Sequence, residues 1–236
     1  MKTVEIELRF EILNPQSIEP VCNTLTFQSE KRIIDCYLDT SLVDLLKKGI
    51  YIRVRDSKKI DIKFNRACLN DPTLELQSSC EEYSFTLPLQ PEAINACNQI
   101  LESLSLHPFT SNFDTFLQHN NLKNSRIVDK IRKSYIKEGF TIVIDKVAGL
   151  GFFLEIELMA LPSESIEEVT QQMKEIISSL NVLELKPLKT GYDSLILRKN
   201  NFEQYLQGRF ILEEDKHLLP ALKKFHVNPS LNRATK

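Results

Sequence analysis

Several stretches of this chain place charged side chains at every second position. Glu5, Glu7 and Arg9 alternate with apolar residues in VEIELRFEI (4–12), and Arg53 and Arg55 do so in YIRVRD (51–56). Lys63 shares a face with Asp61 in KIDIKFNR, Lys130 and Arg132 flank Ile131, Asp145 ends TIVID, and Glu155 and Glu157 alternate in FFLEIEL. Carboxylate oxygens suit hard divalent cations such as Mg²⁺, which proteins typically share with substrate phosphates. Guanidinium and ammonium clusters clamp phosphoryl oxygens and stabilise the charge that develops on transfer. These residue types at this spacing point to a polyphosphate bound beside a metal ion.

Such faces need strands to carry them. Period-2 alternation predicts strands over 3–12, 31–39, 51–56, 59–66, 80–87, 126–136, 140–147 and 151–160. A turn joins the third and fourth at Asp56–Lys58. Helices are expected weakly over 16–27, over 42–48 with Ser41 as cap and Gly49 as stop, from Pro91 to about 105, and around 112–119. A strong amphipathic helix starts at Ser163 or Ser165 and runs to about 180, with Ile166, Val169, Met173, Ile176 and Ile177 on one face. A short helix is expected over 189–197, and a loop over 67–79. No linker divides the chain, so one domain over 1–197 is expected, with a C-terminal extension (198–236) that is helical at first and disordered at its end.

For any single strand, a half-exposed antiparallel sheet with its charges in water explains the alternation. Across the set the charges segregate: carboxylates on the first and last strands, basic groups on those between. The amphipathic helices also need an apolar sheet face to cover. If they lie outside, six basic groups (Arg9, Arg53, Arg55, Lys63, Lys130, Arg132) and five acidic ones (Glu5, Glu7, Asp145, Glu155, Glu157) point at one another inside a barrel. About eight strands suffice to close one, giving an α+β fold with helices packed outside a closed eight-stranded antiparallel β-barrel. Burying an ion costs several kcal/mol even after relaxation. Internal ion pairs would offset part of that cost, and a polyanion with a divalent cation more of it.

Bulk properties narrow the function classes. The chain has 236 residues, 42% apolar and 26% charged, with a net charge of −2. That balance argues against nucleic acid or an anionic membrane as partner. No apolar run reaches the roughly 18 residues of a membrane span, and Glu5 and Glu7 interrupt any secretory leader. Five cysteines without a Cys-x-x-Cys pair read as reduced thiols in a cytoplasmic protein. No Walker-type glycine loop is present.

Taken together and in order, these motifs resemble the CYTH superfamily of triphosphate tunnel metalloenzymes. Glu5-Ile-Glu7-Leu-Arg9 is similar to its Glu-x-Glu-x-Lys signature, and Tyr37-Leu-Asp39-Thr40 to its Tyr-x-Asp-Thr. Arg53-Val-Arg55, Lys63 and Lys130-Ile-Arg132 match its basic strands. Asp145-Lys-Val-Ala-Gly-Leu-Gly151-Phe-Phe-Leu-Glu155-Ile-Glu157 closely resembles the class IV adenylyl cyclase branch, and Gly191-Tyr192-Asp-Ser-Leu-Ile the terminal helix. The resemblance spans about residues 3–197. It implies a charged tunnel in which Arg53, Arg55, Lys63, Lys130 and Arg132 hold a triphosphate. Glu5, Glu7, Asp145, Glu155 and Glu157 would hold Mg²⁺ or Mn²⁺, and Glu5, Glu7 and Arg9 would act in catalysis. In a hydrolase, a water acidified by the cation would attack the terminal phosphorus. In a cyclase, the ribose 3′-hydroxyl would attack the α-phosphorus.

The expected activity is therefore hydrolysis of inorganic triphosphate or a small organic triphosphate such as thiamine triphosphate. Conversion of ATP to cyclic AMP is the alternative, and a non-catalytic polyphosphate-binding module a second one. The expected partner is a small-molecule triphosphate, with the protein a monomer or homodimer. Two departures bear on this. Arg9 stands in place of the usual lysine and cannot accept a proton. The strand at 80–87 keeps Glu82 but has Cys80 and Ser84 where the family carries charge. Tyr37 and Tyr192 read as packing residues with a hydroxyl partner, Asp39 as a turn-ordering residue, and His107, His119, His217 and His226 as surface histidines.

Overall fold

A computed structural model describes residues 4–71, 73–74, 79–110, 112–161 and 165–219. Nine strands form one antiparallel sheet: β1 (Val4–Ile12), β2 (Thr26–Asp39), β3 (Ile50–Arg55), β4 (Lys59–Phe64), β5 (Ser79–Thr86), β6 (Lys123–Lys137), β7 (Phe140–Val147), β8 (Gly151–Ala160) and β9 (Leu185–Leu188). Their order is β5-β4-β3-β2-β6-β7-β8-β1-β9, and β1 also pairs with β5. That last pairing, Glu5 opposite Cys80 and Ile6 opposite Ser79, closes eight strands into a barrel. β9 adds to the same edge of β1 further along, from Arg9 to Ile12.

The helices are α1 (Ile18–Cys22), α2 (Asp44–Lys48), α3 (Arg66–Asn70), α4 (Pro91–Ser103), α5 (Phe113–His119), α6 (Ile166–Ser179), α7 (Tyr192–Asn200) and α8 (Phe202–Tyr205). α6 buries Val169, Met173 and Ile176 against Ile6, Ile142, Leu154 and Ile156 on the outer wall. Each such side chain stabilises by about 1.5–3 kcal/mol. α4 and α5 bury Cys97, Leu101 and Phe116 against Ile52, Ile60, Ile62 and Phe64 of β3 and β4. With their apolar faces taken up outside, these strands turn their charged faces inward. α7 and the segment after it close one end: Tyr192 packs with Tyr37, Val128, Phe153 and Leu212, while Tyr205, Leu206 and Ile211 pack on Val43, Leu46 and Leu197.

Several local expectations change. β2 begins at Thr26, inside the stretch expected to be helical, and only Ile18–Cys22 is α-helix there. Ser41 does not cap α2. Asp39 accepts from the Leu45 and Leu46 N–H groups, and Thr40 Oγ1 from the Asp44 N–H. Gly49 ends α2 at φ +70°, as expected of a C-terminal glycine. The start of the 67–79 loop is α3, capped by Asn65, whose side chain accepts from the Cys68 N–H. The Ser165 side chain caps α6, and Ser163 lies outside the described residues, as does the tail end expected to be disordered. The last expected helix runs from Tyr192 to Asn200, preceded by β9, which alternation did not reveal. β9 has only four residues and includes Pro187, tolerated because the strand lies at a sheet edge. None of the five cysteines is in a disulfide. Among the described residues no helix is long and apolar enough to cross a membrane.

Candidate functional site

The barrel register, more than any one motif, assembles the site. Residues directly opposite on antiparallel strands share a face and lie within side-chain reach. Around the lumen these pairs are mostly of opposite charge: Arg9 with Glu155, Asp35 with Arg55, Arg53 with Asp61, Lys63 with Glu82, and Arg132 with Asp145. The side chains complete the bonds. Arg9 donates to Glu155 at 2.6 Å and to the Thr190 carbonyl at 3.0 Å, and also pairs with Glu7. Arg53 donates to Asp61 at 2.9 Å and to Glu82 at 3.0 Å. Arg55 donates to Asp35 at 2.8 Å.

Arg132 grips both oxygens of Asp145, at 2.8 and 2.6 Å, and also pairs with Glu155. Lys130 donates to Asp145 at 3.1 Å. Lys63 pairs with Glu5, with Glu7 at 3.2 Å and with Glu82 at 3.6 Å.

Two carboxylates depart from this pattern: Glu7 of β1 lies directly opposite Glu157 of β8. Like charges in that position repel. Among the described residues Glu157 has no ion pair. Burial, then Glu155, and also Glu5 and Glu7, push its carboxyl up to about 7 against the partial relief of Arg132. Glu5 is also raised, by burial first and by Glu7 and Glu82, although Lys63 opposes this. Elsewhere the cations win. Burial opposes ionisation of Glu155, yet Arg9, Arg132 and Lys130 together hold it well below the ordinary carboxylate range. Burial likewise opposes ionisation of Glu82, but Arg53 and Lys63 bring it to about 2. Burial, followed by Arg132, lowers the Lys130 ammonium to about 8.

These groups surround a single cavity of about 560 Å³. Glu5, Glu7, Arg9, Arg53, Arg55, Lys63, Lys130, Arg132, Glu155 and Glu157 all line it. Asp145 does not. Fully buried, it lies behind Lys130 and Arg132 and fixes their heads. Among the described residues no three carboxylates, imidazoles or thiols converge as they stand into a metal cage. The lumenal carboxylates other than Glu157 are turned onto cations. The donor set nonetheless fits a hard cation, since it is all carboxylate oxygen and Glu157, opposite Glu7, has no ion pair among the described residues.

Some participants escaped the motif reading. Asp35 is buried under Arg53 and Arg55, and Asp61, noted only as a neighbour of Lys63, anchors Arg53. Their signal was present, since both share a face with an expected site residue or its partner, but an acid on a basic strand carries no ligand pattern. Tyr192 lies under two cations, with the Arg9 guanidinium 4.8 Å and the Lys130 ammonium 5.0 Å from its ring centre. Tyr37 lines the cavity and accepts weakly from Arg53, at 3.4 Å. Asp39 orders α2 and pairs with buried Arg126. His107, His119 and His217 are exposed, away from the cavity, and His226 is outside the described residues.

The closed barrel, the lumenal charge and the chain order of its motifs coincide with a known family, whose CYTH domain profile matches residues 3–192. The chain belongs to the CYTH domain family. A Methanocaldococcus jannaschii protein provisionally named an adenylate cyclase is 35% identical over 65 residues, 28% of this chain and 37% of that protein. The match thus covers little more than a third of that relative's length. A solved Pyrococcus horikoshii protein superposes with a TM-score of 0.58 at 23% identity, covering 83% of this chain and 99% of that one. A Vibrio parahaemolyticus protein provisionally called an adenylate cyclase gives 0.54 at 16% identity, covering 81% and 97%. A Hippeastrum protein named for adenylyl cyclase, and described as having a dominant triphosphatase activity, gives 0.51 at 14% identity, covering 84% and 95%. At these identities the likeness of this CYTH barrel to the solved structures is one of fold.

Proposed function

We propose that this CYTH protein is a divalent-metal-dependent phosphohydrolase acting on inorganic triphosphate or a small organic triphosphate. The observation that carries the reading is Glu157, a lumenal carboxylate set directly opposite Glu7 and without an ion pair among the described residues. Glu5, Glu7 and Glu157, with Glu155 beside them, would hold Mg²⁺ or Mn²⁺. Bound there, the cation supplies charge neutralisation and acidifies a water molecule. Arg53, Arg55, Lys63, Lys130 and Arg132 would clamp the phosphate oxygens, their heads held apart by Asp35, Asp61 and Asp145. Asp145 is proposed here as a positioning residue rather than a metal ligand, because Lys130 and Arg132 take up its oxygens. Arg9 stays charged, bound to Glu7 and Glu155, and would hold those carboxylates in place rather than move a proton.

A cyclase is the second reading, favoured by the name of the Methanocaldococcus jannaschii relative. Incubation with inorganic triphosphate, thiamine triphosphate and ATP, each with Mg²⁺ or Mn²⁺, separates the readings by product. Orthophosphate supports hydrolysis, and cyclic AMP with pyrophosphate supports the cyclase. Tight binding without turnover would sink both in favour of a binding module.

A further inference from the structure

The cations proposed to clamp phosphate fall into two classes by what holds them. Arg53 and Arg55 are held by Asp61 and Asp35, and Lys130 and Arg132 by Asp145. None of these aspartates is a proposed metal ligand, so those heads keep an anchor when the metal site fills. Arg132 also pairs with Glu155, but it bonds both oxygens of Asp145. Lys63 is different. Among the described residues its ion pairs are with Glu5, Glu7 and Glu82, and two of these, Glu5 and Glu7, are proposed metal ligands. Both members of the Lys63–Glu5 and Lys63–Glu7 pairs therefore have a second task, which the pair itself blocks.

The sheet explains how Lys63 arrives there. It lies opposite Glu82 on β5, while Glu5 lies one strand further, on β1, opposite Cys80. Two strand spacings of about 4.8 Å each separate β4 from β1, so the lysine stem extends across β5 to set its ammonium on β1. The Lys63 side chain is 23% exposed and lines the cavity, as do Glu5 and Glu7. Its stem is flexible, and the cavity gives the ammonium room to turn.

We infer that Lys63 is an internal counter-ion that fills the cation site at Glu5 and Glu7 until a divalent metal replaces it, and that its displaced ammonium then turns to the phosphates. The inference rests on the metal and triphosphate reading above and adds how the two ligands are coupled. An ammonium and a dication on the same two carboxylates repel. Without metal, Lys63 reaches phosphate only by leaving half-buried Glu5, which has no other ion pair among the described residues. Stripping one partner from such a pair is costly. With metal in place, the same move leaves every charge answered. Metal and phosphate therefore tighten one another by the same factor, and the link runs through one side chain.

The test reads binding rather than turnover. Mn²⁺ is titrated calorimetrically into metal-free wild type, Lys63→Met and Lys130→Met, with circular dichroism as the check of fold. Each variant loses one positive charge from the lumen, but Lys130 rests on Asp145, which does not line the cavity. Lys63→Met should bind Mn²⁺ about ten-fold tighter than wild type, and Lys130→Met less than about three-fold tighter. Inorganic triphosphate is then titrated with Mn²⁺ and, separately, with a chelator. Lys63→Met should weaken it about ten-fold with Mn²⁺, the scale of one charge-assisted hydrogen bond, and less than about two-fold without metal. In wild type, whose fold is not in question, acylation of the Lys63 amine read by mass spectrometry should rise several-fold when Mn²⁺ is added. Equal tightening by the two variants, a phosphate effect of Lys63→Met that is the same with and without metal, or acylation unchanged by Mn²⁺ overturns the exchange and leaves the hydrolase reading standing. Intact binding contrasts without release of orthophosphate from any triphosphate overturn the hydrolase reading and leave the exchange standing.

Discussion

Replacing Glu157 by Gln should make the metal-free protein more stable while abolishing its response to metal. The carboxyl of Glu157 is raised to about 7 from an ordinary 4.5, by burial and by Glu155, Glu5 and Glu7. At 1.36 kcal/mol per pH unit that difference is a folding cost of about 3 kcal/mol when the group is fully charged. The sign follows from proton linkage. A carboxyl that binds its proton more tightly in the folded state costs nothing below its unfolded value. It destabilises progressively as pH rises from 4.5 to about 7 and exacts the full cost above that. Gln removes the charge and keeps most of the shape. Urea denaturation of both proteins, free of metal, should show no gain for the variant near pH 4.5 and a gain approaching about 3 kcal/mol at pH 8. With excess Mn²⁺ the order should reverse, because a cation bound only by the native state stabilises wild type by mass action. A variant less stable than wild type at pH 8 without metal, or a gain that does not grow with pH, refutes the electrostatic reading. Equal stabilisation of both proteins by Mn²⁺ refutes the ligand assignment.

Other perturbations test neighbouring parts. Arg132→Ala leaves fully buried Asp145 with Lys130 alone and should cost about 3–5 kcal/mol in chemical denaturation. Affinity for inorganic triphosphate should fall as pH rises through about 8, where Lys130 loses its proton, and Lys130→Met should flatten that profile in a calorimetric titration. Arg9→Lys should cost about 1–3 kcal/mol of stability, because one ammonium cannot serve Glu7, Glu155 and the Thr190 carbonyl together. Tyr205→Phe removes the hydroxyl that accepts from the Leu212 N–H and donates to Asp215, and should cost about 1–3 kcal/mol, read as a lowered melting temperature.

The barrel and its charged lining were legible because two local patterns reinforced each other. Strict alternation marked β1, β3, β4, β7 and β8, and helices such as α6 displayed the apolar faces that had to cover them. Local chemistry misled where a better partner arrived from elsewhere in the chain. Ser41 looked like the cap of α2, but the chain passes through Val43 at φ +53°, and Asp39 and Thr40 take the free N–H groups instead. β9 was invisible because four residues with a proline carry no readable period; it exists because β1 offers it an open edge.

Sequence alone therefore determined which residues carry charge and which strands present them. Those properties follow from a two-residue period written locally along each strand. Partner choice was decided by the tertiary structure. Arg9 meets Glu155, Arg132 meets Asp145 and Glu7 is set against Glu157 because the closed barrel fixes one register among eight strands. Register is a relation between segments far apart in the chain, and a slip of one residue would turn each face inside out. The same closure withdrew Asp145 from the cavity and left Glu157 without an ion pair among the described residues, turning a row of alternating charges into a graded site.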